Sequence, residues 1–226
     1  VSPGDVKVVA VTQIRRGHGV STAVFYLARA LVRQGCRVLV VDLSLRRSPL
    51  GMLIRSWPAR NLGLWMPPAS VLGQSLLSLF DRVRRQVYGR VDCLLVDIDV
   101  SLIERSGLSQ SGIDYLIIAA EPTEEGRSSV IKALNRLADG TVMEQASVLF
   151  TRIDVQEAQQ LEPRLENGLP VLGSVPADYL LATLADYGAQ PLEPHEAYQA
   201  AMNRLAATLI RLVPLQRGAR RSGAGS

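Results

Sequence analysis

Two sets of residues carry the chemistry legible in this chain. One is the run Arg15, Arg16, Gly17, His18, Gly19, Val20, Ser21 and Thr22; the other is the carboxylates Asp42, Asp97 and Asp99. The run lies between an apolar stretch and a helical one, where a phosphate-binding loop belongs. Glycines there let backbone N–H groups cradle phosphate oxygens, and the helix N-terminus favours negative charge. The motif G-x-x-x-x-G-K-[ST] also asks for a lysine to reach the β/γ-phosphates and a hydroxyl for Mg²⁺. Here its right-hand end is Gly19-Val20-Ser21-Thr22: glycine and hydroxyl are present, and valine holds the lysine position. The only lysines are Lys7, entering the first strand, and Lys132, far along the chain.

The elements that must position these residues follow from periodicity. Val8–Thr12 is a β-branched apolar run, a buried strand. Val20–Gln34 places Val24, Leu27, Ala28, Leu31 and Val32 at helical spacing, and Gly35 suits the helix end. Val38–Val41 is a second strand, closed by Asp42. The spacing then predicts a short helix at Gly51–Trp57, an irregular stretch at Pro58–Ser70 and a helix at Val71–Val87 with Arg82, Arg84 and Arg85 near its C-terminal end. Asp92–Asp97 is a strand ending on an acid, followed by a polar loop through Gly112. Tyr115–Ala120, Ala146–Phe150 and Leu172–Val175 read as strands. Gly126–Ala138, Gln156–Leu165, Tyr179–Tyr187 and Glu196–Val213 read as helices. Apolar strands alternating with helices predict an α/β fold, a mostly parallel central sheet with helices on both faces. Ligands of such sheets bind at the carboxyl ends of strands, where Asp42, Asp97, Asp99 and the glycine loop converge.

Length and composition set the limits. The 226 residues suit a single domain over 1–213, with a basic, Gly/Ser-containing and disordered tail at 214–226. Hydrophobic content of 47% and mean hydropathy of +0.14 exclude a disordered chain. No apolar run is long enough for a transmembrane segment, and no signal pattern opens the chain, so the expected location is cytoplasmic. Cys36 and Cys93 read as buried free thiols, and no Cys/His cluster has metal-ligand spacing. The net charge of +4, nearly all from arginine, is compatible with contact to nucleic acid or acidic lipid.

Each candidate has a plainer reading. His18 fits a solvated loop residue and His195 a helix start. Asp42, Asp97 and Asp99 also suit loop caps. Trp57 and Trp65 suit packing or a partner surface, and Arg46 and Arg47 ordinary surface charge. Leu205, Leu209, Leu212 and Val213 form a stripe on the last helix, read as packing on the core, with peripheral membrane docking as the alternative.

In the order of its motifs the chain resembles the MinD/ParA group of deviant-Walker P-loop ATPases, of the SIMIBI class. That family's loop reads K-G-G-x-G-K-[TS], followed by a helix with N-L-A; here Arg15 to Thr22 is followed by Tyr26-Leu27-Ala28. Gly35 to Asp42 is similar to G-x-[KR]-V-L-[LV]-[IV]-D, and Asp92 to Asp97 to the Walker B strand. Gly173 to Asp178 is similar to G-x-[IV]-P-x-[DN], and Leu184 to Leu192 to A-x-x-x-G-[KR]-P-[VL]. The similarity spans roughly Lys7 to Val213. The departures fall on the chemistry, as in a degenerate member. The signature lysine becomes Arg15, the second glycine Arg16 and the central lysine Val20. Switch I reads Asp42-Leu43-Ser44 in place of D-x-D, and switch II reads Asp97-Ile98-Asp99 in place of D-x-P. The later asparagine, associated with adenine, falls near Thr151-Arg152.

The resemblance implies ATP or ADP with Mg²⁺ as ligands. Arg15, Arg16, Gly17, His18, Gly19, Val20, Ser21, Thr22, Asp42 and Asp97 would line the nucleotide, with Ser21 and Asp97 at the metal. The substitutions imply that this binding is weakened or lost. The family's activities then imply a positioning, partitioning or scaffolding factor with weak or lost ATPase activity, acting through a protein partner and a homodimer. Two alternatives stay open: an ATPase using Arg15 or Arg16 in place of Val20, and a nonspecific DNA binder.

Overall fold

A computed structural model describes residues 6–14, 19–44, 49–55, 57–71, 73–137, 145–154, 164–165, 167–177 and 195–215. Seven strands form one sheet: β1 (Lys7–Gln13), β2 (Val38–Leu43), β3 (Leu62–Trp65), β4 (Cys93–Ile98), β5 (Tyr115–Ala120), β6 (Ala146–Ile153) and β7 (Val171–Pro176). Their order is β3-β2-β4-β1-β5-β6-β7, and every pairing between them is parallel. The helices are α1 (Val20–Arg33), α2 (Leu50–Arg55), α3 (Leu76–Val87), α4 (Val100–Ser106), α5 (Glu124–Leu137) and α6 (Glu196–Leu212).

The central strands are apolar throughout because helices cover both faces. One apolar cluster joins the sheet to α1, α2 and α6, through residues such as Phe25, Leu31, Ile54 and Leu205. The other joins it to α3, α4 and α5, through Phe80, Ile103 and Leu134. α1 is buried over most of its surface, Arg29 included. The Arg29 guanidinium carbon lies 4.5 Å from the Trp57 ring centre and 5.4 Å from that of Tyr26, so the charge sits among aromatic faces.

The structure departs from the periodicity in four places. Pro58–Ser70 is not wholly irregular: Leu62–Trp65 adds an edge strand to β2. Four residues with Gly63 among them carry little strand signal; pairing to β2 supplies the order. The helix expected from Val71 starts at Leu76, because the Ser75 side chain accepts the Ser78 N–H and caps it there. The polar loop expected after Asp97 contains α4, capped by Asp99, whose Oδ1 accepts from Ser101 N at 3.0 Å. Leu212 lies outside the apolar stripe and is exposed, whereas Leu205, Leu209 and Val213 are buried. Gln156–Leu165, apart from its last two residues, and Tyr179–Tyr187 lie outside the described residues, as do 216–226. Cys36 and Cys93 are buried and unbridged.

Partly buried charge pairs tie the amino ends of the strands. Asp92, fully buried, accepts from Arg37 N at 2.7 Å and pairs with its guanidinium at 2.5 Å. Arg84, expected to complement the α3 dipole, turns inward: it donates to Val6 O at 3.0 Å and Gly112 O at 3.1 Å and pairs with Asp114 at 2.6 Å. Replacing Asp92 would strand the Arg37 N–H and half of its guanidinium. We expect Asp92→Ala to lower the unfolding free energy by about 2–4 kcal/mol in denaturant titration; a loss within experimental error would contradict this role.

Candidate nucleotide-type site at the strand ends

The site assembles where β1 passes into α1, beside the carboxyl ends of β2 and β4. Gly19 caps α1 with φ of 69°, a left-handed conformation that favours glycine, and its carbonyl accepts the first helical bond from Ala23 at 2.8 Å. The parallel register places Asp42 directly opposite Asp97 on neighbouring strands. Ser21, in the first turn of α1, donates its hydroxyl to Asp97 Oδ2 at 2.6 Å. Asp42 Oδ1 accepts from Ser44 N at 3.0 Å and Ser44 Oγ at 2.6 Å. Its Oδ2 is buried with no hydrogen-bond partner among the described residues. Thr12, at the end of β1, donates to Ile98 O at 2.8 Å and fixes β1 against β4 beside the site.

Burial dominates the electrostatics. Loss of solvation pushes the Asp97 carboxyl up to about 7, with the neighbouring Asp42 and Asp99 charges adding to the rise and the Ser21 hydrogen bond opposing it. A hydroxyl and a carboxylate, with a second carboxylate in register, are hard oxygen donors of the kind that hold Mg²⁺. The orphaned Asp42 Oδ2 and the Ser21–Asp97 pair therefore fit a divalent cation that keeps most of its ligands as water or phosphate. Among the described residues no three His, Cys, Asp or Glu side chains form a protein-only metal cage. The fit to a triphosphate is poorer. Val20 is only 3% exposed and belongs to the apolar cluster with Val9, Val11 and Val24, so no cation stands at the first position of α1.

The structure thus brings together Gly19, Val20, Ser21, Asp42 and Asp97, with Thr22 on the same first turn. Arg15, Arg16, Gly17 and His18 lie outside the described residues. Asp99 serves as the α4 cap and His195 as the α6 cap, where Nδ1 accepts from Ala197 N at 3.4 Å. Thr151 donates to Ala120 O at 3.4 Å, and Arg152 adopts φ of 60° and pairs with Glu121 at 3.6 Å. Sequence reasoning missed the Ser44 clasp on Asp42, although an aspartate two residues before a serine is the pattern of such a turn.

An Asp that binds its proton more tightly when folded makes stability fall with rising pH. The folded state holds the extra proton between the ordinary value of 3.8 and about 7, so stability is greatest below that window and lost through it. We expect Asp97→Asn to stabilise the protein at pH ~8 by up to about 4 kcal/mol, and much less at pH ~4. Denaturant titrations at both pH values measure this; equal effects at the two would contradict it.

No family model matches the chain, and no curated protein matches it. Solved structures do. MinD in the MinC:MinD cell division complex of Aquifex aeolicus superposes with a TM-score of 0.68 at 17% identity, covering 91% of this chain and 96% of that one. A ParA family ATPase from Chlorobium tepidum TLS gives 0.65 at 16% identity, covering 89% and 98%. A plasmid partition protein of Borrelia burgdorferi B31 bound to AMPPNP gives 0.61 at 14% identity, covering 92% and 99%. With its all-parallel seven-stranded sheet flanked by helices, the chain has the MinD/ParA-like P-loop fold.

Proposed function

We propose that this chain is a positioning, partitioning or scaffolding factor on a MinD/ParA-like frame, with ATPase activity weak or lost. The observation that carries the reading is Val20, a buried apolar side chain at the first position of α1 where the loop motif asks for lysine. A triphosphate there would lose its central charge-assisted contact, at a cost of about 2–5 kcal/mol. Ser44 adds to this: it binds Asp42 where the motif has a second acid, so no carboxylate stands there to orient water. If nucleotide enters, the backbone N–H groups at the start of α1 would face its phosphates, and Ser21 and Asp97 would hold Mg²⁺. The ion would supply charge neutralisation at the phosphates.

Partners are then the means of action. The similar structures include a MinC:MinD cell division protein complex and plasmid partition proteins, which supports a partner-dependent role; a homodimer belongs to the same proposal. Among the described residues no helix is long and apolar enough to cross a membrane.

Calorimetric titration of ATP with Mg²⁺ into wild type and Val20→Lys tests the reading, with circular dichroism checking that the variant folds. Wild type is expected to show no saturable heat and the variant to gain binding. Wild-type binding and turnover that Ser21→Ala abolishes would overturn the proposal in favour of an ATPase working through Arg15 or Arg16.

A further inference from the structure

One concavity lined by both apolar and charged side chains lies away from the nucleotide-type site. It is a groove of about 730 Å³ between the start of α3 and the length of α4, lined by Gln74, Leu77, Leu102, Arg105, Ser109 and Gln110 among others. Its apolar part is unequal: Leu102 is buried, whereas Leu77 is 42% exposed, one of the few large apolar side chains so placed. Leu77 packs closely on Gly112, where an added Cβ would come to 3.0 Å from its Cδ1.

The groove's charge has one sign. Arg105 is exposed and makes no ion pair among the described residues, and no acidic side chain lines the groove. The first turn of α3 opens into it as well. Ser75 Oγ accepts the Ser78 N–H, and Ser75, Leu76 and Leu77 at the positive end of this 12-residue helix line the groove. A guanidinium, the positive end of a helix and side-chain amides beside an exposed leucine are complementary to a carboxylate flanked by an apolar side chain.

We infer that this groove docks an acidic segment of a partner protein, with an aliphatic or aromatic residue on Leu77 and Leu102 and a carboxylate on Arg105. The inference rests on the proposed role as a partner-binding factor and names the partner's chemistry. The chain's own basic end, with Arg217, Arg220 and Arg221, carries the wrong sign to fill the groove. Duplex DNA fits it poorly, since a concave site with one cation neutralises few phosphates. A bilayer fits poorly too, since Leu77 alone presents little apolar area.

The test uses the full chain with labelled leucine methyls and no nucleotide. It is titrated with a pool of short peptides alternating Asp or Glu with Leu or Phe, and with a matched pool carrying Lys or Arg instead. The Leu77 and Leu102 methyl resonances are expected to move with the acidic pool alone. Arg105→Glu is expected to weaken that response about tenfold or more while leaving distant methyls in place. No movement at millimolar acidic pool, an equal response to the basic pool, or an unchanged response in Arg105→Glu would overturn the inference. So would a stronger response to duplex DNA or to phosphatidylglycerol vesicles. Because nucleotide is absent throughout, such a failure leaves the calorimetric result at Val20 untouched, and the reverse holds as well.

Discussion

Two carboxylates in register at the ends of adjacent parallel strands, shielded from water, must be compensated by hydrogen bonds, protons or a cation. Asp42 and Asp97 stand in that relation, and much of the surrounding structure answers to it. Ser21 donates to one and Ser44 clasps the other. Ser21 can do so only because Gly19 turns the chain through a left-handed conformation and starts α1 within reach of β4. β4 in turn lies between β2 and β1, so a single strand order brings both acids and the helix start to one place.

The same geometry explains why the Val20 substitution is compatible with the fold. The start of α1 is packed against the sheet, and a valine there joins an existing apolar cluster. The frame therefore gains packing at the position where the motif would have placed a charge. A lysine would have had to lead its ammonium out of that cluster toward phosphate. Stability and nucleotide chemistry pull in opposite directions at this residue, and in this chain the side chain serves stability. The cation part of the site follows a different course: Ser21, Asp97 and the orphaned Asp42 oxygen keep a hard-oxygen character independent of Val20.

Much of this was legible in the sequence, for a physical reason. Parallel strands covered on both faces must be continuously apolar, so VVAVT, VLVV, CLLV and YLIIAA declare themselves, and Asp42 and Asp97, which close VLVV and CLLV, mark the carboxyl edge. What escaped depends on tertiary context. β3 is four residues long around Gly63 and exists because β2 offers it an edge. α4 is seven residues with no long apolar stripe, and its start depends on the Asp99 cap. Arg84 reads as a surface charge by its place near a helix end, yet Asp114 and two carbonyls hold it inside. At the candidate site, residue types were readable and the pairing of Ser44 with Asp42 was not, because a side chain's choice of partner is settled by local backbone geometry.

On the proposed reading, a MinD/ParA-like frame would have exchanged phosphate affinity for packing at the head of α1. A ligand that binds the folded state raises its stability in proportion to the logarithm of its concentration over the dissociation constant, by about 2.7 kcal/mol at a hundredfold excess. The most direct measurement is therefore the unfolding midpoint of the wild-type chain in millimolar Mg²⁺, with and without millimolar ATP. The account predicts coincident unfolding curves. A midpoint that climbs steadily with ATP concentration would contradict it.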